Sequence, residues 1–135
     1  MFKNFYFFLL LLVLFNISHL ATAQNNPVCF GGMPEIRLWG LVQQSPAKMI
    51  EIELYKMYDN GFGEWAVKGH YYFSQDLSVR IPIEGLMQQN CVLQLAEFAQ
   101  EYGVASGYLM IMPDGTGTWK SADQRTTFLL ELRSR

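Results

Sequence analysis

The sequence has few of the side chains from which catalytic and metal sites are built. It contains two histidines and two cysteines, with no H-x-H, H-x-x-x-H or C-x-x-C spacing and no G-x-S-x-G motif. Metal sites need clustered His, Cys or carboxylate ligands, and a serine nucleophile needs a histidine base with an orienting carboxylate. We therefore expect no catalytic residue, no cofactor and no metal, and a protein that is not an enzyme.

The chain also lacks a long hydrophobic run and a basic cluster. Its apolar run, Phe5 to Phe15, is 11 residues long, whereas a membrane-spanning helix needs about 20. Lys3 precedes the run and Ala21-Thr22-Ala23 follows it, which is the order of parts in a cleavable signal peptide. We predict a signal peptide over residues 1–23, no membrane span after its removal, and a periplasmic or secreted protein.

Charge argues against nucleic acid as a partner. The predicted leader carries one base and no acid, so nine basic and 12 acidic residues remain, a net charge of −3. Positive and negative residues alternate along the chain, and there is no basic patch of the kind that attracts the phosphate groups of a nucleic acid. We expect the partner to be another protein or a small apolar ligand.

The two cysteines, Cys29 and Cys91, predict one disulfide, because an even count in an oxidising compartment favours pairing. Such a bridge would tie an irregular segment, residues 24–35, to a strand about 60 residues later, and the loop-entropy relation gives it about 4 kcal/mol. The alternative is a reactive thiol assisted by His70, the one histidine that follows the leader.

From residue 36 onward, apolar and polar residues alternate with a period of two. Ile50, Ile52 and Leu54 alternate with Glu51 and Glu53, a pattern typical of a strand with one buried face. Turn residues separate eight such runs, at 36–43, 48–57, 65–74, 78–84, 91–97, 104–112, 116–120 and 126–133.

The absence of a helical crossover favours antiparallel pairing. We predict one all-β domain over residues 36–135, an antiparallel up-and-down meander of about eight strands that forms a small barrel or a strongly curved sheet. A helix over residues 86–102 is the alternative for one stretch, because Leu, Gln, Ala and Glu are good helix formers.

The fourth predicted strand carries a specific expectation. Its alternation places Val79, Ile81 and Ile83 inward and Pro82 outward. Proline cannot donate a ladder hydrogen bond, so Pro82 predicts an edge, a bulge or an early strand end.

Short motifs recur, about one per predicted strand: Gly69-His70-Tyr71-Tyr72, 81–85 (IPIEG), 93–97 (LQLAE), 105–108 (ASGY), 117–119 (GTW) and 128–132 (FLLEL). With them the chain resembles a loose group of small exported bacterial proteins of unknown function, whose strands repeat G-x-Y-Y, I-x-L-x-G, L-x-E and G-x-W. The resemblance implies a β-meander in the cell envelope and carries no catalytic residues. The cysteine pair and Pro82 depart from the pattern.

The third predicted strand places His70 and Tyr72 on the face opposite Tyr71. If Tyr71 is in the core, His70 and Tyr72 are candidate partner contacts, since tyrosine gives contact area at low entropic cost. We expect an exported, non-enzymatic binding protein, such as an inhibitor or immunity-type protein that acts on another protein through loops such as 59–64 or 113–117. The alternatives are a carrier of a small apolar ligand in a lipocalin-like barrel and an envelope structural protein. An empty apolar interior would favour the carrier.

Overall fold

The computed structural model describes residues 29–135, so the predicted leader lies outside the described residues. Eight antiparallel strands form a closed barrel in which each strand pairs with the next and β8 pairs with β1. This confirms the predicted all-β up-and-down barrel. The strands are β1 (Glu35–Gln43), β2 (Lys48–Asp59), β3 (Trp65–Phe73), β4 (Asp76–Met87), β5 (Leu93–Glu97), β6 (Gly107–Ile111), β7 (Thr116–Ser121) and β8 (Thr127–Ser134).

The alternation seen in the sequence is the alternation between barrel interior and surface. Ile50, Ile52 and Leu54 of β2 are almost completely buried, because successive side chains of a strand point to opposite faces. The residues with the least exposed side chains come from six strands: Leu38, Ile52, Leu54, Ile83, Leu93, Ile111 and Leu130. A single apolar interior therefore holds the barrel together.

Three interior positions, Gly40, Gly69 and Gly85, have no side chain because the neighbouring strand approaches too closely. A Cβ on Gly69 would overlap the carbonyl oxygen of Glu53, and a Cβ on Gly85 would overlap that of Gln94. Both overlaps are with backbone atoms, which cannot move without breaking the ladder. Glycine therefore permits the tight curvature that closes the barrel.

The N-terminal segment closes one end of the barrel, which we call the plugged end. The disulfide between Cys29 and Cys91 joins this segment to the β4–β5 loop, as predicted. Phe30, which follows the bridge, is 4% exposed and packs in the core. The Lys56 ammonium lies over the rings of Phe30 and Trp65, 5.7 and 4.3 Å from their centroids. The opposite end, which carries the loops 44–47, 74–75, 98–106 and 122–126, is the open end.

The prediction that Val79 points inward is wrong, because β4 contains a bulge. Tyr71 pairs with Ile81, but Phe73 pairs with Asp76, so four residues of β4 lie opposite one residue of β3. Val79 is in this bulge and is 51% exposed. Ile83, beyond the bulge, is fully buried as expected. The irregularity ends just before Pro82, the residue that predicted it.

Two other strands are shorter than predicted. Cys91 has a φ of 65° and precedes β5, which begins at Leu93. Val104 is 58% exposed in a turn, and β6 begins only at Gly107. The helix considered for residues 86–102 does not form, because β4 extends to Met87 and β5 occupies the centre of that range.

Candidate functional site

The interior of the barrel is not filled at the open end. A cavity of about 200 Å³ lies there. Its walls come from six strands and from the β1–β2 loop: Val42, Gln44, Ile50, Tyr71, Phe73, Leu109, Trp119, Phe128 and Leu130. Eight of these nine side chains are aliphatic or aromatic, so the cavity is an apolar site.

Two aromatic pairs form much of the wall. The rings of Trp119 and Phe128 stack with centroids 5.4 Å apart and an interplanar angle of 17°. The rings of Tyr71 and Phe73 meet edge to face at 5.8 Å. Both arrangements are favoured by the ring quadrupoles. The cavity therefore has flat, rigid walls before any ligand enters.

A buried carboxylate behind the wall holds two of these aromatic side chains in place. Glu97, at the end of β5, is 3% exposed. Its Oε2 accepts hydrogen bonds from the Tyr71 hydroxyl and, at 2.7 Å, from Trp119 Nε1. Its Oε1 accepts one from Ser106 Oγ at 2.8 Å. Three donors thus compensate the cost of burying this group.

The environment of Glu97 also affects the tyrosine that binds it. Burial, then the hydrogen bond to Glu97 and the charge of that residue, raise the pKa of Tyr71 above its ordinary value. Tyr71 therefore remains a protonated donor over the physiological pH range.

On β6, which pairs with β5, a glycine leaves space for the indole of Trp119. Gly107 pairs with Glu97 on one side and with Ser121 on the other. A Cβ on Gly107 would lie 2.6 Å from Trp119 Nε1, so any larger residue would displace the ring. The neighbouring Ser106 Oγ accepts a hydrogen bond from the Ala99 amide at 2.9 Å and so fixes the β5–β6 loop to the same site.

The rim of the cavity is polar. Gln44 continues the inward row of β1 beyond Val42 and lines the mouth. Lys48 occupies the inward position of β2 that precedes Ile50, at the exposed start of the strand. Its ammonium lies 5.1 Å from the centroid of the Phe73 ring. An apolar chamber therefore opens between an amide and a positive charge.

The two residues predicted as partner contacts lie outside this site. His70 and Tyr72 are on the outer face of β3, half buried, with ring centroids 6.2 Å apart. The Tyr72 hydroxyl donates to Glu51 at 2.6 Å, and His70 Nε2 lies 3.1 Å from Glu53. The Tyr72 hydroxyl and His70 Nε2 thus contact acids of the neighbouring strand, and the role of the two residues in partner binding stays a prediction. The reactive-thiol alternative for His70 is excluded, because both cysteines are in the disulfide.

Glu97 is the functional candidate that the sequence analysis missed. A signal was present: Leu93, Leu95 and Glu97 have the same parity on one strand, so the carboxylate shares the inward face. The identity of its donors could not be read from the sequence, because Tyr71, Ser106 and Trp119 reach it from three other parts of the chain.

Among residues 29–135, no three His, Cys, Asp or Glu side chains come close enough to hold a metal ion. No helix in that range has the length and apolar character to cross a bilayer.

Comparison of the chain with protein-family models, with curated proteins and with solved structures gave no match in any of the three. The resemblance to small exported bacterial proteins therefore stays a prediction.

Proposed function

We propose that this protein is a non-catalytic binding protein that takes a small, mainly apolar molecule into the open end of its barrel. The observation that carries the proposal is the apolar cavity of about 200 Å³ beneath the rim. A protein that acts only through its outer surface is expected to have a filled interior, because buried side chains normally pack without large voids.

The size and rigidity of the cavity support binding of a compact ligand. An engineered apolar cavity of about 150 Å³ is large enough to bind benzene, so this one accommodates a six-membered ring or a short acyl chain. Trp119 and Tyr71 are already oriented by Glu97, so little ordering cost remains to be met on binding.

The asymmetry of the two ends supports a route for entry. Phe30 and the Cys29–Cys91 bridge close the plugged end, whereas the cavity lies at the other. The bridge is compatible with an oxidising compartment outside the cytoplasm. We accordingly propose a periplasmic or extracellular location.

The proposal is tested by filling the cavity. Leu130 lines it, and the adjacent Leu129 points outward and is 55% exposed. We expect Leu130→Phe to abolish binding of 2-phenylethanol, measured by isothermal titration calorimetry, and the matched control Leu129→Phe to bind it like the unmodified protein. If Leu130→Phe does not fold, Val42→Leu replaces it in the test, because Val42 also lines the cavity and the substitution adds less volume. Equal binding by the filled variants, or no binding by the unmodified protein, would refute the proposal.

A second candidate function is docking to another protein through the β2–β3 loop. Phe62, at its tip, is 82% exposed. The loop is ordered by side-chain caps: Asp59 Oδ1 accepts from the Gly61 amide at 2.7 Å, and Asn60 Oδ1 accepts from the Phe62 amide at 2.9 Å. A rigid loop that presents one aromatic side chain is the form of an interface anchor.

This second function predicts a partner whose binding depends on Phe62. A protein captured from the native envelope by the unmodified chain should be lost with Phe62→Ala and retained with Leu129→Ala, a truncation of an exposed residue elsewhere. Capture that is equal for all three chains would reject Phe62 as an anchor.

A further inference from the structure

We propose that the ligand is a small apolar carboxylic acid, with its hydrocarbon part in the cavity and its carboxylate at the rim between Lys48 and Gln44. This inference rests on the proposed function and specifies the chemical class of the ligand. It follows from the position of the Lys48 charge at the rim and from the polar groups of the interior, which are already hydrogen-bonded.

The position of Lys48 is the first observation. Lys48, Ile50, Ile52 and Leu54 occupy alternate, inward positions of β2. Three of them fill the interior, and the fourth is a lysine. Its ammonium lies over Phe73, a wall residue, at 5.1 Å from the ring centroid. A lysine can cover apolar surface with its stem while its charged group stays in water. Its charge is thus held beside the mouth.

The second observation is that the donors in the cavity wall are not free to bind a polar group of a ligand. The donors in the wall, the Tyr71 hydroxyl and Trp119 Nε1, both bond to Glu97. A ligand carboxylate placed deep in the cavity would lose its water, find no free donor there and face the negative charge of Glu97. The polar end of a ligand therefore stays at the rim.

At the rim, the available groups select an anion. Gln44 is half buried and lines the mouth, where its amide can donate, and Lys48 supplies the positive charge. An acid, Asp76, pairs with the wall residue Phe73. Its Oδ1 already accepts hydrogen bonds from the amide and the hydroxyl of Ser78. A carboxylate between an ammonium and an amide donor makes charge-assisted hydrogen bonds.

The experiment compares three probes with the same phenyl group and different heads: phenylacetate, 2-phenylethanol and 2-phenylethylamine. Each is titrated by calorimetry into the purified protein, expressed as the full chain, at low ionic strength. We expect phenylacetate to bind about five-fold more tightly than 2-phenylethanol, because an exposed ion pair contributes up to about 1 kcal/mol. The amine should bind most weakly. Added salt should reduce the preference for phenylacetate.

Variants assign the preference to Lys48. We expect Lys48→Gln to bind phenylacetate and 2-phenylethanol equally, and Lys48→Glu to favour the amine. Lys120→Gln is the matched control, since Lys120 is exposed on the outer face of β7 near the same end of the barrel. It should keep the full preference.

The outcomes separate this inference from the function on which it rests. If the three probes bind with equal affinity, the cavity binds apolar molecules and the carboxylate proposal is overturned. A preference that persists in Lys48→Gln also overturns it. If none of the probes binds, the proposed function fails as well.

Discussion

Removal of the Glu97 carboxylate should destabilise the barrel more than removal of any exposed acid. In Glu97→Ala, the Tyr71 hydroxyl and Trp119 Nε1 lose the acceptor that both now share. A buried donor left without a partner costs about 1–3 kcal/mol. Ser106, which is half buried, can turn to water instead. Two donors without a partner therefore predict a loss of about 2–6 kcal/mol in the free energy of unfolding.

Glu97→Gln separates the loss of charge from the loss of the acceptor. The amide oxygen can replace Oε2 as acceptor for Tyr71 and Trp119, and the amide NH₂ can donate to Ser106 Oγ. We expect a smaller cost, about 1 kcal/mol, because neutral hydrogen bonds replace charge-assisted ones. Urea unfolding followed by circular dichroism measures both variants.

The control for these variants is Glu131→Ala. Glu131 is exposed and accepts one hydrogen bond from Gln43, at 2.8 Å, so we expect a change of no more than about 1 kcal/mol. If Glu97→Ala is as stable as Glu131→Ala, or if Glu97→Gln costs as much as Glu97→Ala, then the three-donor arrangement around Glu97 contributes little and the reasoning is refuted.

Three further predictions concern the same end of the barrel and the bridge. Gly107→Ala should displace the Trp119 indole, which changes the nuclear magnetic resonance shift of its N–H; an unchanged shift would contradict the predicted clash of 2.6 Å. The double variant Cys29→Ser/Cys91→Ser should lose about 4 kcal/mol in urea unfolding, and a stability within 1 kcal/mol of the unmodified protein would show that Phe30 holds the plug without the bridge. Burial and Glu97 raise the pKa of Tyr71, so the hydroxyl stays protonated in the folded state after it ionises in the unfolded state. Stability should therefore fall as pH rises above about 10, and the fall should be shallower in Tyr71→Phe.

The strand pattern was predictable because it rests on a local rule. Residues 48–57 alternate so regularly that Ile50, Ile52 and Leu54 could be assigned to the interior before the fold was known. The turn residues that separate the runs are an equally local signal, as at Gly61, which adopts a φ of 83° in the β2–β3 loop. The disulfide followed from the count of cysteines.

The bulge and the cavity were not predictable, because they depend on contacts between distant residues. Val79 fits the alternation of its neighbours. However, β4 has three extra residues between the partners of Tyr71 and Phe73, and these place Val79 outside the interior. The cavity beneath the rim is formed by nine side chains from six strands and one loop, so no single strand reveals it. His70 and Tyr72 were selected from the alternation of one strand, which assigns a face to each side chain, whereas the side chains around the cavity could be grouped only from the register of several strands.

The most direct test of the binding proposal is to locate a bound probe inside the barrel. Nuclear Overhauser effects between the ring protons of 2-phenylethanol and the methyl groups of Ile50, Leu109 and Leu130 would place the ring in the cavity, and these are the contacts we predict. Contacts to the outward methyl groups of Leu129 alone, or no intermolecular contacts at saturating probe, would contradict an interior binding site.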